Sequence, residues 1–136
     1  MDRRQQLTLS QEDTQYLNAN HPSWESLATG QQIVLLHDFW VPAGYTISLT
    51  TAAITIPAGY PMQGLDMAYF YPHLIRTDGQ RIPQTETTML IDGKPYQRWS
   101  RHYTITKWRS DEDSLATHVM AVRDWLMREF ERRSIA

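Results

Sequence analysis

Polar and apolar positions divide this chain into three regimes. At the start, Ser10 stands before QEDTQYLNAN, an N-cap with acids in the first turn, and Pro22 ends the segment, so the pattern predicts a short helix. The middle changes period. IVLLHDFW, residues 33 to 40, is β-branched and aromatic and runs into the turn-forming VPAGY, which predicts a strand. In YTISLTTAAITI, residues 45 to 56, Ile47, Leu49, Ile54 and Ile56 alternate with threonine and serine, the period of a half-buried strand, before a second PAGY. MAYFY, residues 67 to 71, reads as a strand closed by Pro72, TDGQ as a turn, and TTMLIDGKPYQRW as strand, Asp-Gly turn, strand. The end is helical. Ser110 precedes DEDSLATHVMAVRDWLMREFERR, with acids first and arginines last to suit the helix dipole, and Leu115, Val119, Val122, Leu126 and Phe130 form one stripe.

These elements predict an α+β domain: an N-terminal helix, an antiparallel β-meander and a long C-terminal helix packed on the sheet. With 136 residues, a single domain over 1–136 is expected, since typical domains run to about 100–150 residues. The echo of Val41-Pro42-Ala43-Gly44-Tyr45 in Ile56-Pro57-Ala58-Gly59-Tyr60 is read as two similar turns, because the flanking residues do not match.

Charge and composition then exclude whole classes of function. A formal net charge of −2 argues against a field that would draw the protein to nucleic acid or an acidic membrane. No apolar stretch approaches the ~18 residues of a membrane span, and MDRRQQLTLSQED has no apolar run behind its arginines, so a cytoplasmic protein is expected. Cysteine is absent, which removes disulfides, thiolate metal sites and cysteine nucleophiles together. His21, His37 and His73 lack metal-ligand spacing and there is no HExxH, so neither a metal nor a cofactor is expected.

The densest chemistry lies in PYQRWSRHYTITKW, residues 95 to 108. Trp99 and Trp108 read as core anchors or as ligand platforms. Arg98 and Arg101 flank Trp99 and read as solvated strand-edge arginines or as contacts to an acidic partner. Asp111 and Asp113 read as helix-start acids. His118, on the flank of the apolar stripe, reads as a boundary histidine bonded to backbone or as a group approaching the RWSRH segment.

The segment IPAGYPMQGLDMAYF resembles the part of the ubiquitin-conjugating (UBC) fold in which a strand enters a Tyr-Pro turn, with Tyr60-Pro61 in that position. From DFWVPAGY through RWSRH to DSLATHVMAV, over most of residues 10 to 130, the chain resembles the bacterial branch called prokaryotic E2 family E. The resemblance implies a UBC-like fold, a place in a bacterial ubiquitin-like conjugation system, and two partners, a ubiquitin-like protein and an E1-like activating enzyme.

Two departures qualify that implication. A conjugating enzyme carries its cargo as a cysteine thioester, and here there is no cysteine; nor is there a His-Pro-Asn triplet, the region reading RTDGQRIP. In the common enzymes a tryptophan follows the active cysteine by about eight positions, and eight before Trp108 is Ser100. His102, two residues on, shares a strand face with Ser100 and could accept its proton. The plainer reading of Ser100 is an exposed serine beside a loop-capping histidine. Three functions stay open: a binding module that forms no covalent bond and uses Trp99, Arg98, Arg101 and His118; a carrier that forms an oxyester through Ser100 or Thr104; and a small hydrolase or ligand-binding domain built on Ser100 and His102.

Overall fold

The computed structural model describes residues 3–101 and 108–135. In chain order these form α1 (Gln11–Asn20), β1 (Glu25–Thr29), β2 (Gln31–Trp40), β3 (Leu49–Thr55), β4 (Ala68–Tyr71), β5 (Thr88–Ile91), β6 (Lys94–Trp99) and α2 (Leu115–Ile135). The six strands make one antiparallel sheet in the order β1-β2-β3-β4-β6-β5, an α+β architecture with its helices set apart from the sheet. IVLLHDFW, the later part of YTISLTTAAITI, and MAYFY are consecutive antiparallel neighbours, as the meander read from the sequence requires.

The register explains the apolar pattern. Val34 faces Ile54, Leu36 faces Ala52, Ala52 faces Phe70 and Ala68 faces Trp99, so one set of residues turns to the same side of the sheet. That side packs on Leu17 of α1 and on Leu115, Val119, Val122 and Leu126 of α2. The intervening residues Ile33, Leu35, Ala53, Tyr69 and Tyr96 form a second cluster on the other side. The run Ile33-Val34-Leu35-Leu36 is unbroken because both of its faces are buried. The second face is sheltered by curling of the sheet. Arg4 forks to Glu25 of β1 and to Asp92 of the β5–β6 turn, so one guanidinium joins strands from opposite ends of the strand order.

Three boundaries differ from the sequence reading. β1 has no counterpart in the apolar pattern: ESLAT is five residues long with only Ser26 and Leu27 buried, too short to display a period. β3 begins at Leu49, because Tyr45 leaves the strand pattern to bury its ring and donate its hydroxyl to Leu126 O at 2.7 Å. α2 begins at Leu115, and Ser110 lies in a preceding turn. The helix start is held instead by Ser114 N donating to Thr117 Oγ1 at 2.9 Å and by Asp13 and Tyr60 receiving Leu115 N. At the other end of the chain, Ser10 caps α1 as predicted, its hydroxyl accepting from Asp13 N at 3.1 Å.

Candidate functional site

β6 ends at Trp99, whose side chain is fully buried, and its indole donates to Gln97 Oε1 at 3.0 Å. Gln97 also binds both backbone groups of Leu74, so a buried amide and a buried indole lock the strand to the loop behind it. Trp99 is therefore a core anchor in this fold and turns no face to solvent.

The chain leaves the sheet through two anchored residues. Ser100 N donates to Gln84 O at 3.0 Å, and Arg101 O accepts from Met67 N at 3.2 Å. Ser100 is half-buried, and its hydroxyl has no hydrogen-bond partner among the described residues. Arg101 is only 8% exposed: Nη1 donates to Pro83 O at 3.0 Å, the guanidinium lies 4.8 Å from the Trp99 ring centre, and Nη2 stands 3.6 Å from Glu129 Oε1. Arg76 approaches the other oxygen of Glu129 at 3.3 Å. A carboxylate from α2 thus sits between two buried arginines from separate segments, an arrangement that offsets the desolvation of each charge.

His118 is fully buried, donates Nε2 to Met67 O at 2.8 Å and stands edge-on to Trp125. Burial lowers its pKa, so the ring is held neutral at physiological pH. Arg101 and His118 consequently meet on one residue: Met67, at a φ of 57°, gives its amide to one and its carbonyl to the other. Arg98 is half-buried opposite Tyr69 on the other side of the sheet from Trp99. His102 and Thr104, the partners suggested for a Ser100 mechanism, lie outside the described residues.

Two residues central to this region do more than their local pattern announces. Glu129 follows Leu126 by three positions, which continues the buried stripe of α2 and is a visible sign that it faces inward. Asp13 reads as a first-turn acid, yet it is buried and accepts from Tyr60 Oη at 2.7 Å, a contact across 47 residues that no local pattern signals.

The fold, the Tyr60-Pro61 turn and the β6 exit leading to α2 all lie within a match of the sequence model described as Prokaryotic E2 family E, which spans residues 9–129. The chain belongs to that family. No curated protein and no solved structure matches it. Membership in prokaryotic E2 family E supports an E2-like role in conjugation. This family E chain has no cysteine with which to hold a thioester. Among its described residues no helix is long and apolar enough to cross a membrane, and no cluster of His, Asp and Glu is arranged to hold a metal ion.

Proposed function

We propose that this protein is the E2-like component of a bacterial ubiquitin-like conjugation system, and that it holds a ubiquitin-like protein or its E1-like activating enzyme without a thioester. One observation carries the reading: an E2-family chain with no cysteine in its 136 residues. The site chemistry supports it. Arg101 is engaged by Pro83 and Glu129, and His118 spends its Nε2 proton on Met67, so neither is poised as a general acid or base.

A second reading is favoured by Ser100 alone, a half-buried hydroxyl at the strand exit without a hydrogen-bond partner among the described residues. In that reading Ser100 Oγ attacks the C-terminal carbonyl that the ubiquitin-like protein holds as a thioester on its activating enzyme, the hydroxyl proton passes to a base, and the C–S bond breaks as the activating enzyme's thiol leaves protonated and the oxyester remains on Ser100. Intact-mass measurement after incubation with the activating enzyme, ATP and the ubiquitin-like protein separates the two. The binding reading expects complex formation with no gain in mass. A hydroxylamine-labile adduct lost in Ser100→Ala would establish the carrier instead. Failure to bind either partner would overturn both.

A further inference from the structure

The pairing of β2 with β3 is interrupted between Leu36 and Phe39. It passes from Leu36 opposite Ala52 to Phe39 opposite Thr50, so His37 and Asp38 together face the single residue Thr51. Asp38 takes a φ of 56°, and a bulge of this kind re-aims the side chains it carries. The His37 ring reaches both neighbouring strands: Nε2 stands 2.8 Å from Glu25 Oε1 on β1, and Nδ1 stands 3.1 Å from Thr51 Oγ1 on β3. Three adjacent strands thus hold a carboxylate, an imidazole and a hydroxyl in one chain of hydrogen bonds.

Charge fixes the direction of those bonds. Hydrogen bonds from Arg4 hold the Glu25 pKa down to about 2, so at neutral pH it is a carboxylate that only accepts. His37 therefore donates from Nε2, and the neutral ring keeps its lone pair on Nδ1, to which the Thr51 hydroxyl donates. A hydroxyl donating to a base that a third group orients is the arrangement of an activated nucleophile. There is also room in front of it. Thr51 and His37 line a cavity of about 240 Å³, whereas Glu25 is set behind the ring, its side chain 14% exposed against 33% for His37. Thr51 lies two positions from Ala53, so the cavity opens on the side of the sheet away from α1 and α2.

The lining selects a substrate. Leu49 and Pro72 make the apolar part of the cavity, and Trp40, the cross-strand partner of Leu49, is exposed beside it. Asp38 adds a carboxylate that disfavours an anionic ligand. We propose that Thr51 is an acyl-accepting nucleophile with His37 as its general base and Glu25 as the residue that positions His37, and that the cavity takes a neutral ester of a short aliphatic acid. Thr51 Oγ attacks the ester carbonyl carbon as its proton moves to His37 Nδ1. The bond to the leaving oxygen then breaks, that oxygen takes the proton from His37, and the acyl group remains as an ester on Thr51. Water attacking with the help of the same base releases the acid and restores the hydroxyl. The inference stands on β1 to β3 and does not depend on the conjugation reading.

The test is incubation of the full chain with p-nitrophenyl acetate, following p-nitrophenol release with time and locating the acetyl group by peptide mass spectrometry. A burst of one p-nitrophenol per chain and a hydroxylamine-labile acetyl ester on Thr51 are expected. Thr51→Val, which keeps the branched shape, should abolish both. His37→Ala should slow acetylation of Thr51 about 10²–10⁴-fold, and added imidazole should restore part of it. Glu25→Gln should slow it at least about tenfold and shift the His37 tautomer, read from its ring nitrogen-15 resonances. An unchanged tautomer in Glu25→Gln would overturn the role of Glu25. Acetyl groups confined to lysine amides or to any site other than Thr51, or an undiminished rate in a folded His37→Ala protein, would overturn the site. If the variants do not fold, the position of the acetyl group on the native chain decides alone.

Discussion

Gly64 and Trp108 are fitted to each other: a Cβ at position 64 would stand 2.6 Å from Trp108 Cγ and 2.8 Å from its Cβ, while the indole Nε1 donates to Pro61 O at 2.8 Å. The clash involves the root of the tryptophan side chain, which cannot swing aside without moving backbone. Gly64→Ala is therefore expected to cost about 1–3 kcal/mol in urea denaturation, as overpacking does elsewhere. Gly59 is the contrast. Its place in the PAGYP turn suggests a strained glycine, yet its φ is not positive and its nearest neighbour is the Gln63 side chain at 3.1 Å. Gly59→Ala should be close to neutral. Strain belongs to the other PAGY turn, where Gly44 has a φ of +110° and a Cβ would overlap the Phe130 ring.

Leu126 and Met127 provide a matched pair on α2. Leu126 is fully buried against the sheet, and Met127 is 59% exposed. Leu126→Ala is expected to cost about 2–5 kcal/mol and Met127→Ala less than about 0.5 kcal/mol by denaturant titration. Equal costs would mean that the apolar stripe is not the face that α2 buries.

Elements with a local signal are legible in the sequence: α1 from its cap, β2 from its β-branched and aromatic run, β3 from alternation, β4 from the run closed by Pro72, α2 from Leu115, Val119, Val122 and Leu126. β1 is not, because five residues cannot establish a period. The site is legible as a segment but not residue by residue. Nothing local says that Arg101 turns in to Glu129, far along the chain, or that His118 finds the Met67 carbonyl. Similarly, the two PAGY turns are alike in sequence, and the positive φ of Gly44 together with the approach of Phe130 sets their different demands on glycine.

Acid should destabilise the protein in two stages. Burial lowers the pKa of His118 and of His21 in the folded state, so the unfolded chain binds protons first. The stability they contribute is complete above about 6.5, the ordinary histidine value, and declines as pH falls below it. His118→Gln should flatten that limb of a stability–pH profile.

The second stage belongs to Glu25, whose pKa is held down to about 2, chiefly by hydrogen bonds from Arg4. Its contribution is complete above about 4.3, the ordinary glutamate value, and is lost as pH falls toward 2. Arg4→Ala should weaken this lower limb and leave the histidine limb in place. If the two limbs respond together, the curl of the sheet is not held at Arg4.

Arg101 gives the sharpest test of the difference between a partner-binding arginine and a structural one. Its sequence context beside Trp99 suits a rim residue ready to meet an acidic partner. In the fold it is 8% exposed, lies over Trp99 and approaches Glu129, itself 1% exposed. Removing one member of a buried charge cluster leaves the others desolvated with less compensation, so Arg101→Ala is expected to cost about 3–5 kcal/mol. The same change in a Glu129→Gln background should cost less, because the charge it exposes is already gone, and a double-mutant cycle reads that difference directly. Measured at a temperature where the variant is folded, affinity for the ubiquitin-like protein or the activating enzyme should be unaltered. A stable Arg101→Ala protein that has lost its partner would reverse the assignment and return Arg101 to the binding surface.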